Sequence, residues 1–238
     1  MSLSLRQKII IFLLAVYWPS LFILAHIPIP MVVYKAQVSD KSLHFLAYLV
    51  LTFLLWFAIR PAQKVNWRKT AVWLILVLVV WYGVFDELLQ GYMRRNCDVR
   101  DLLADFAGML GGLILFSFLS FWPVLLAVTA IVIFGLTNLA RANLAELVPI
   151  TNALFHFFGY GFFTAIWIIC MHLFLRIKTI RVKWAITALI VPIGFLLVVR
   201  LFSVVLGRHF GVIDVILSVG GITCAVIAVY LSVLFYRK

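Results

Sequence analysis

Eight apolar runs divide this chain, at roughly 8–27, 41–59, 70–90, 101–121, 123–140, 153–175, 184–206 and 214–235. A helix needs about 20 such residues to cross roughly 30 Å of hydrocarbon, and each run is long enough to do so. Charge, or Pro and Gly, bounds most of them. The least marked boundary is the fourth to fifth, because residues 106–140 carry no charge. A single helix of that length would measure about 52 Å, too long for one crossing. Trp122-Pro123 supplies an interfacial aromatic followed by a helix breaker, so a tight hairpin is expected there. The strict alternation of a membrane β-barrel strand is absent from these uninterrupted Leu, Ile, Val and Phe runs. The pattern predicts an all-α, polytopic membrane protein with eight transmembrane helices.

Composition narrows the class further. With 66% hydrophobic and 12% charged residues, a chain of 238 residues has too little polar surface for a soluble globule. Its first run follows Arg6 and Lys8 like a secretory signal, yet it is long, contains Trp18-Pro19 and lacks a small-residue cleavage site, so it reads as a true span. Cys97, Cys170 and Cys224 match neither a zinc site nor a disulfide framework.

Lys and Arg counts in the short loops orient the chain. With the N-terminus inside, the cytoplasmic side holds Arg6, Lys8, Arg60, Lys64, Arg68, Lys69, Arg176, Lys178, Arg181, Lys183, Arg237 and Lys238, twelve in all. The opposite side holds seven: Lys35, Lys41, Arg94, Arg95, Arg100, Arg141 and Arg208. Both termini are therefore expected in the cytoplasm of a multi-pass cell-membrane protein. The net charge of +12 then reads as attraction to anionic inner-leaflet lipid, and no nucleic-acid motif competes with that reading.

Sliding the chain on itself by 112 or 113 residues superposes His44 on His156, Tyr48 on Tyr160, Arg95 on Arg208, Asp101 on Asp214 and Gly108 on Gly221. Four spans per copy is an even number, so the expectation is two parallel four-helix repeats, 1–122 and 123–238. The second copy is degenerate: Val199, Arg200 and Ser203 stand where the first has Asp86, Glu87 and Gln90. The chemistry is expected in the first.

The polar residues of that first copy converge. Lys41, His44 and Tyr48 share one face at the outer end of the second span by their i, i+3, i+7 spacing. Asp86, Glu87 and Gln90 close the third span, with Asp86 and Gln90 as i, i+4 partners. Asp101 and Asp105 open the fourth, on one stripe with Gly108 and Gly112, a small-xxx-small pair that lets a neighbouring helix approach closely. Acids within a membrane are costly and should face partners or water, so the expectation is an outward-facing polar cup. Structural ion pairing of Asp86 and Glu87 with Arg95 or Lys41 is the alternative to a functional site. His44 and Tyr48 also suit helix packing. Arg200 is expected to pair with an acid or to snorkel outward, and Asp98 and Arg100 to form a solvated loop. His44 with carboxylates resembles no standard metal-site spacing, so no metal is expected.

Taken together, Asp40-Lys41-x-x-His44-Phe45-x-x-Tyr48, the span ending Asp86-Glu87-x-x-Gln90, a following Arg at Arg95 (or Arg94), and Asp101 with Gly108 resemble the VanZ-like membrane proteins. The likeness covers roughly 5–121 and, weakened, 123–235. Asp105 stands where the family usually has Asn, and the loop after Gln90 lacks the usual Pro-Gly before Arg. The resemblance implies a bacterial-type envelope protein of a family named for low-level resistance to the glycopeptide teicoplanin, with no settled enzymatic reaction, and it names no cofactor.

Three functions compete. The cup binds or modifies an amphiphilic envelope component, a membrane lipid or lipid-linked precursor, at the outer leaflet. Lys41, Arg94 and Arg95 then hold an anionic head group, Asp86 or Glu87 acts as base and His44 relays a proton, with Tyr48, Gln90, Asp101 and Asp105 lining the site. Alternatively the chain is a small transporter or flippase, or a non-catalytic scaffold whose ion pairs hold its helices together.

Overall fold

The computed structural model describes residues 3–26, 40–92, 98–139, 149–175, 182–208 and 210–236. Among them the only regular elements are helices: α1 (Leu5–His26), α2 (Asp40–Ile59), α3 (Thr70–Tyr92), α4 (Val99–Phe118), α5 (Phe121–Phe134), α6 (Pro149–Cys170), α7 (Val182–Val205) and α8 (Val212–Tyr236). α5 and α6 each continue into a π-helical turn, Gly135–Leu139 and Met171–Leu175. All eight are long and apolar enough to span a membrane, so this is a multi-pass membrane protein.

The hairpin between α4 and α5 is corrected in position. The helix breaks at Leu119 and Ser120, and Pro123 lies inside the first turn of α5. A proline is tolerated there because the first amides of a helix have no intrahelical acceptor.

The helices divide into two compact units, the first including α1–α4 and running to Val124, the second starting at Leu125. In the first unit the α2–α4 contact is the most extensive. Gly108 is the reason. A Cβ there would collide with the Phe45 carbonyl, and would stand 3.2 Å from the Leu49 nitrogen, so only a bare Cα lets the two backbones meet. The apolar centre of the unit includes Leu49, Trp56, Val79, Met109, Leu113 and Phe116, all buried.

At one end of this unit the segment after α2 closes over α4. Val65 N donates to Phe116 O at 2.9 Å and Lys64 Nζ to Phe118 O at 2.6 Å, which satisfies carbonyls that the helix end leaves open. Arg6 lies 4.8 Å from the Phe121 ring centroid, and Gln7 Nε2 donates to Ala58 O at 2.8 Å, anchoring the start of α1. The opposite end, where α1 and α3 finish and α2 and α4 begin, is polar.

Within the second unit α6 and α8 meet as α2 and α4 do in the first: a Cβ on Gly221 would collide with the Phe157 carbonyl. Arg200, expected to pair with an acid or to snorkel outward, lies over the Phe210 ring, 5.5 Å from its centroid, in a cation–π contact.

Candidate functional site

Each polar side chain at this end of the first unit is placed by its position in a helix. α4 begins at an Asp98 N-cap, whose carboxylate accepts from Arg100 N at 2.9 Å. Asp101 follows in the first turn and Asp105 one turn deeper, where they are 5% and 2% exposed. The expected solvated loop at Asp98 and Arg100 is solvated, but Arg100 lies in the first turn of α4 and Asp98 also ties three elements together. Its backbone N donates to Glu87 Oε2 at 3.2 Å, and its side chain accepts from Lys41 Nζ at 3.1 Å. The Arg100 amide, with Lys41 beside it, holds the Asp98 carboxyl below the usual carboxylate range.

Lys41 also lies 3.3 Å from Asp101 Oδ1, so it bridges the two acids at the mouth of α4. It was one of two candidate partners for Asp86 and Glu87; its salt bridges run to Asp98 and Asp101. Arg94 and Arg95, expected to hold a head group, lie outside the described residues, as does Cys97.

Deeper in, His44 Nδ1 and Asp105 Oδ1 are 2.8 Å apart. Glu87 belongs to the same group: donor atoms of His44, Glu87 and Asp105 all lie within 4.8 Å of one another. Asp86 and Gln90 form the i, i+4 pair that their spacing predicts, Gln90 Nε2 donating to Asp86 Oδ2 at 2.8 Å. Tyr48 is buried, and its hydroxyl lies 3.4 Å from where a Cβ on Gly83 would stand, as does Asp105 Oδ2. The glycine on α3 thus leaves room for both.

Tertiary packing adds residues that the sequence pattern did not single out. His26, the last residue of α1, brings Nδ1 to 3.8 Å from Asp86 Oδ1, and the same nitrogen contacts Phe22 O at 2.7 Å. Tyr82 on α3 sits between Tyr48 and Trp18, with ring centroids 5.9 and 5.4 Å away. His26 had no legible signal, because its relevance depends on where α1 docks. Tyr82 had a weak one, four residues before Asp86 on the same helix face.

Two apolar recesses adjoin the cluster. A groove of about 650 Å³ between α1 and α3 is lined by Leu14, Trp18, Pro19, Phe22 and Tyr82 among others. A smaller one of about 170 Å³ is bounded by Tyr48, Val79, Gly83, Leu102, Asp105 and Met109 among others. The end of the unit therefore offers buried acids, a histidine on each of two helices, and hydrophobic space beside them.

In the second unit His156 Nε2 lies 3.9 Å from Asp214 Oδ1, and Asn152 Nδ2 donates to Asp214 Oδ1 at 2.7 Å.

No curated protein and no solved structure gives a significant match to the chain. Residues 6–120, which span α1–α4 and the whole polar cluster, match the family model VanZ/LLP1. The unit that carries this cluster is therefore VanZ-like.

Proposed function

We propose that the polar end of the first unit binds an amphiphilic component of the cell envelope at the outer leaflet, and thereby lowers access of a glycopeptide such as teicoplanin to its target. The observation that carries this reading is the pairing of two unlike surfaces: a cluster of buried acids with the half-buried His26 and His44, and the apolar groove along Trp18, Pro19, Phe22 and Tyr82 beside it. An amphiphile needs both, a polar site for its head and hydrophobic space for its chain.

The outward orientation is supported by charge. Arg60, Lys64, Arg68 and Lys69 connect the ends of α2 and α3 remote from the cluster, and basic loops favour the cytoplasm. On this reading the protein lies in the cell membrane with both termini cytoplasmic, and its basic loops meet anionic inner-leaflet lipid. Lys41, with Arg94 and Arg95, supplies positive charge for an anionic head group. Asp86 or Glu87 serves as the base in any proton transfer and His44 as the relay, within reach of Asp105. The second unit is read as a degenerate copy of the first, supported by the Gly221 to Phe157 approach that repeats Gly108 to Phe45.

A transport path has less support. Beneath Asp105 the α4 stripe continues through the buried apolar side chains Met109, Leu113 and Phe116, so that helix offers a polar solute no continuous lining.

Expression in a glycopeptide-sensitive bacterium, with and without Glu87→Ala, tests the reading. The wild type should raise the inhibitory concentration of teicoplanin and retain a lipid in native mass spectrometry. The variant should lose both while still reaching the membrane. Unchanged resistance in a membrane-localised variant would remove this function.

A further inference from the structure

His44, Glu87 and Asp105 come from three different helices, yet their donor atoms gather within 4.8 Å. The two carboxylates belong to residues that are 4% and 2% exposed, and each keeps one buried oxygen, Glu87 Oε1 and Asp105 Oδ2, without a hydrogen-bond donor. Buried polar atoms are nearly always partnered, so two unmatched carboxylate oxygens in one group mark a place for a bound water or ion.

Two further buried carboxylates, Asp86 and Asp101, stand at the same end of the unit.

The spacing suits coordination. Metal–ligand distances of about 2.0–2.2 Å put the donors of a tetrahedral site roughly 3.5 Å apart. His44 Nδ1 and Asp105 Oδ1 stand at 2.8 Å and the Glu87 donor lies within 4.8 Å of both, so side-chain adjustment alone separates this group from a coordinating one. The His44 side chain is 13% exposed, which leaves a route in from the polar surface. One imidazole with two carboxylates favours Zn²⁺ or Mn²⁺ over Mg²⁺, which prefers an all-oxygen shell.

We propose that His44, Glu87 and Asp105 bind a divalent transition-metal cation, Zn²⁺ or Mn²⁺, in place of the proton between His44 and Asp105. Three protein ligands leave coordination positions open. Their use by an anionic head group rests on the amphiphile reading above; binding of the cation does not.

The full-length protein, purified in detergent and stripped with a chelator, tests this when titrated with Zn²⁺ or Mn²⁺ and assayed for metal content and thermal unfolding. The wild type should take up about one equivalent per chain and unfold at a higher temperature than with Mg²⁺ alone. Glu87→Gln and Asp105→Asn should each weaken binding about tenfold or more, while Asp214→Asn should retain it. Equal uptake by all variants, or a wild type that gains neither metal nor thermal stability, overturns the site. If the variants fail to fold, the wild-type thermal shift decides. Metal uptake without lipid retention or resistance would sink the proposed function alone.

Discussion

His44 on α2 and Asp105 on α4 place Nδ1 and Oδ1 2.8 Å apart, and they do so because Gly108, three residues beyond Asp105, sets its Cα against the carbonyl of Phe45, the neighbour of His44. The missing side chain of one residue thus sets the reach of two others. The pairing of a histidine and an acid at the cluster is a consequence of helix approach.

Gly108→Ala should therefore separate α2 from α4, since its Cβ would meet backbone that cannot rotate away. Overpacking of this kind costs about 1–3 kcal/mol. Gly111→Ala is the control, because a Cβ there meets only the Phe45 ring at 4.0 Å. Thermal unfolding in detergent should show a clear loss for the first and little change for the second. Equal behaviour of the two would mean that Gly108 does not set the approach.

Removing one member of the buried pair should cost more than removing both. His44→Ala leaves Asp105 buried beside Asp86, Glu87 and Asp101 without its imidazole, a change worth about 3–5 kcal/mol when a buried pair is broken. The double variant His44→Leu with Asp105→Leu removes the acid together with its imidazole and should unfold at a higher temperature than His44→Leu alone. A double-mutant cycle on unfolding temperature reads the coupling, and simple additivity would remove it.

Asp98 has two separable tasks, capping α4 and pairing with Lys41. Asparagine is as good an N-cap as aspartate but carries no charge. Asp98→Asn should then keep the helix start and lose only the ion pair, and Asp98→Ala should lose both. Raising the salt concentration should narrow the difference between wild type and Asp98→Asn, since the pair is exposed and screened. A salt-independent gap would show that the ion pair contributes nothing.

The apolar groove and the polar cluster should respond to different substitutions. Trp18→Ala opens the groove wall and removes the edge-to-face contact with Tyr82, so bound lipid should decrease in native mass spectrometry. It touches none of His44, Glu87 and Asp105, so metal uptake should persist. Loss of lipid with Glu87→Ala but not with Trp18→Ala would place the lipid elsewhere than in this groove.

Much of the fold was legible in the chain because apolar length is a one-dimensional quantity. The eight spans follow from runs of about 20 residues, and their ends agree with the observed helices within a few positions. The α4–α5 turn was found but misplaced, since Pro123 is as comfortable in the first turn of a helix as it is in a break. The i, i+4 bond between Gln90 and Asp86 was also readable, because both partners lie on one helix.

What the sequence determined by itself was the class, the number of crossings and the end of each helix on which the polar residues fall, because hydropathy and 3.6-residue periodicity act along the chain. What only the tertiary structure decided was the partnership between helices. Lys41 bridges Asp98 and Asp101, His26 comes to Asp86, and His44 meets Asp105 beside Glu87. Such pairings depend on rotation and distance between helices, and these are set by the backbone contact at Gly108 and by the docking of α1, neither of which is encoded in any one segment's pattern.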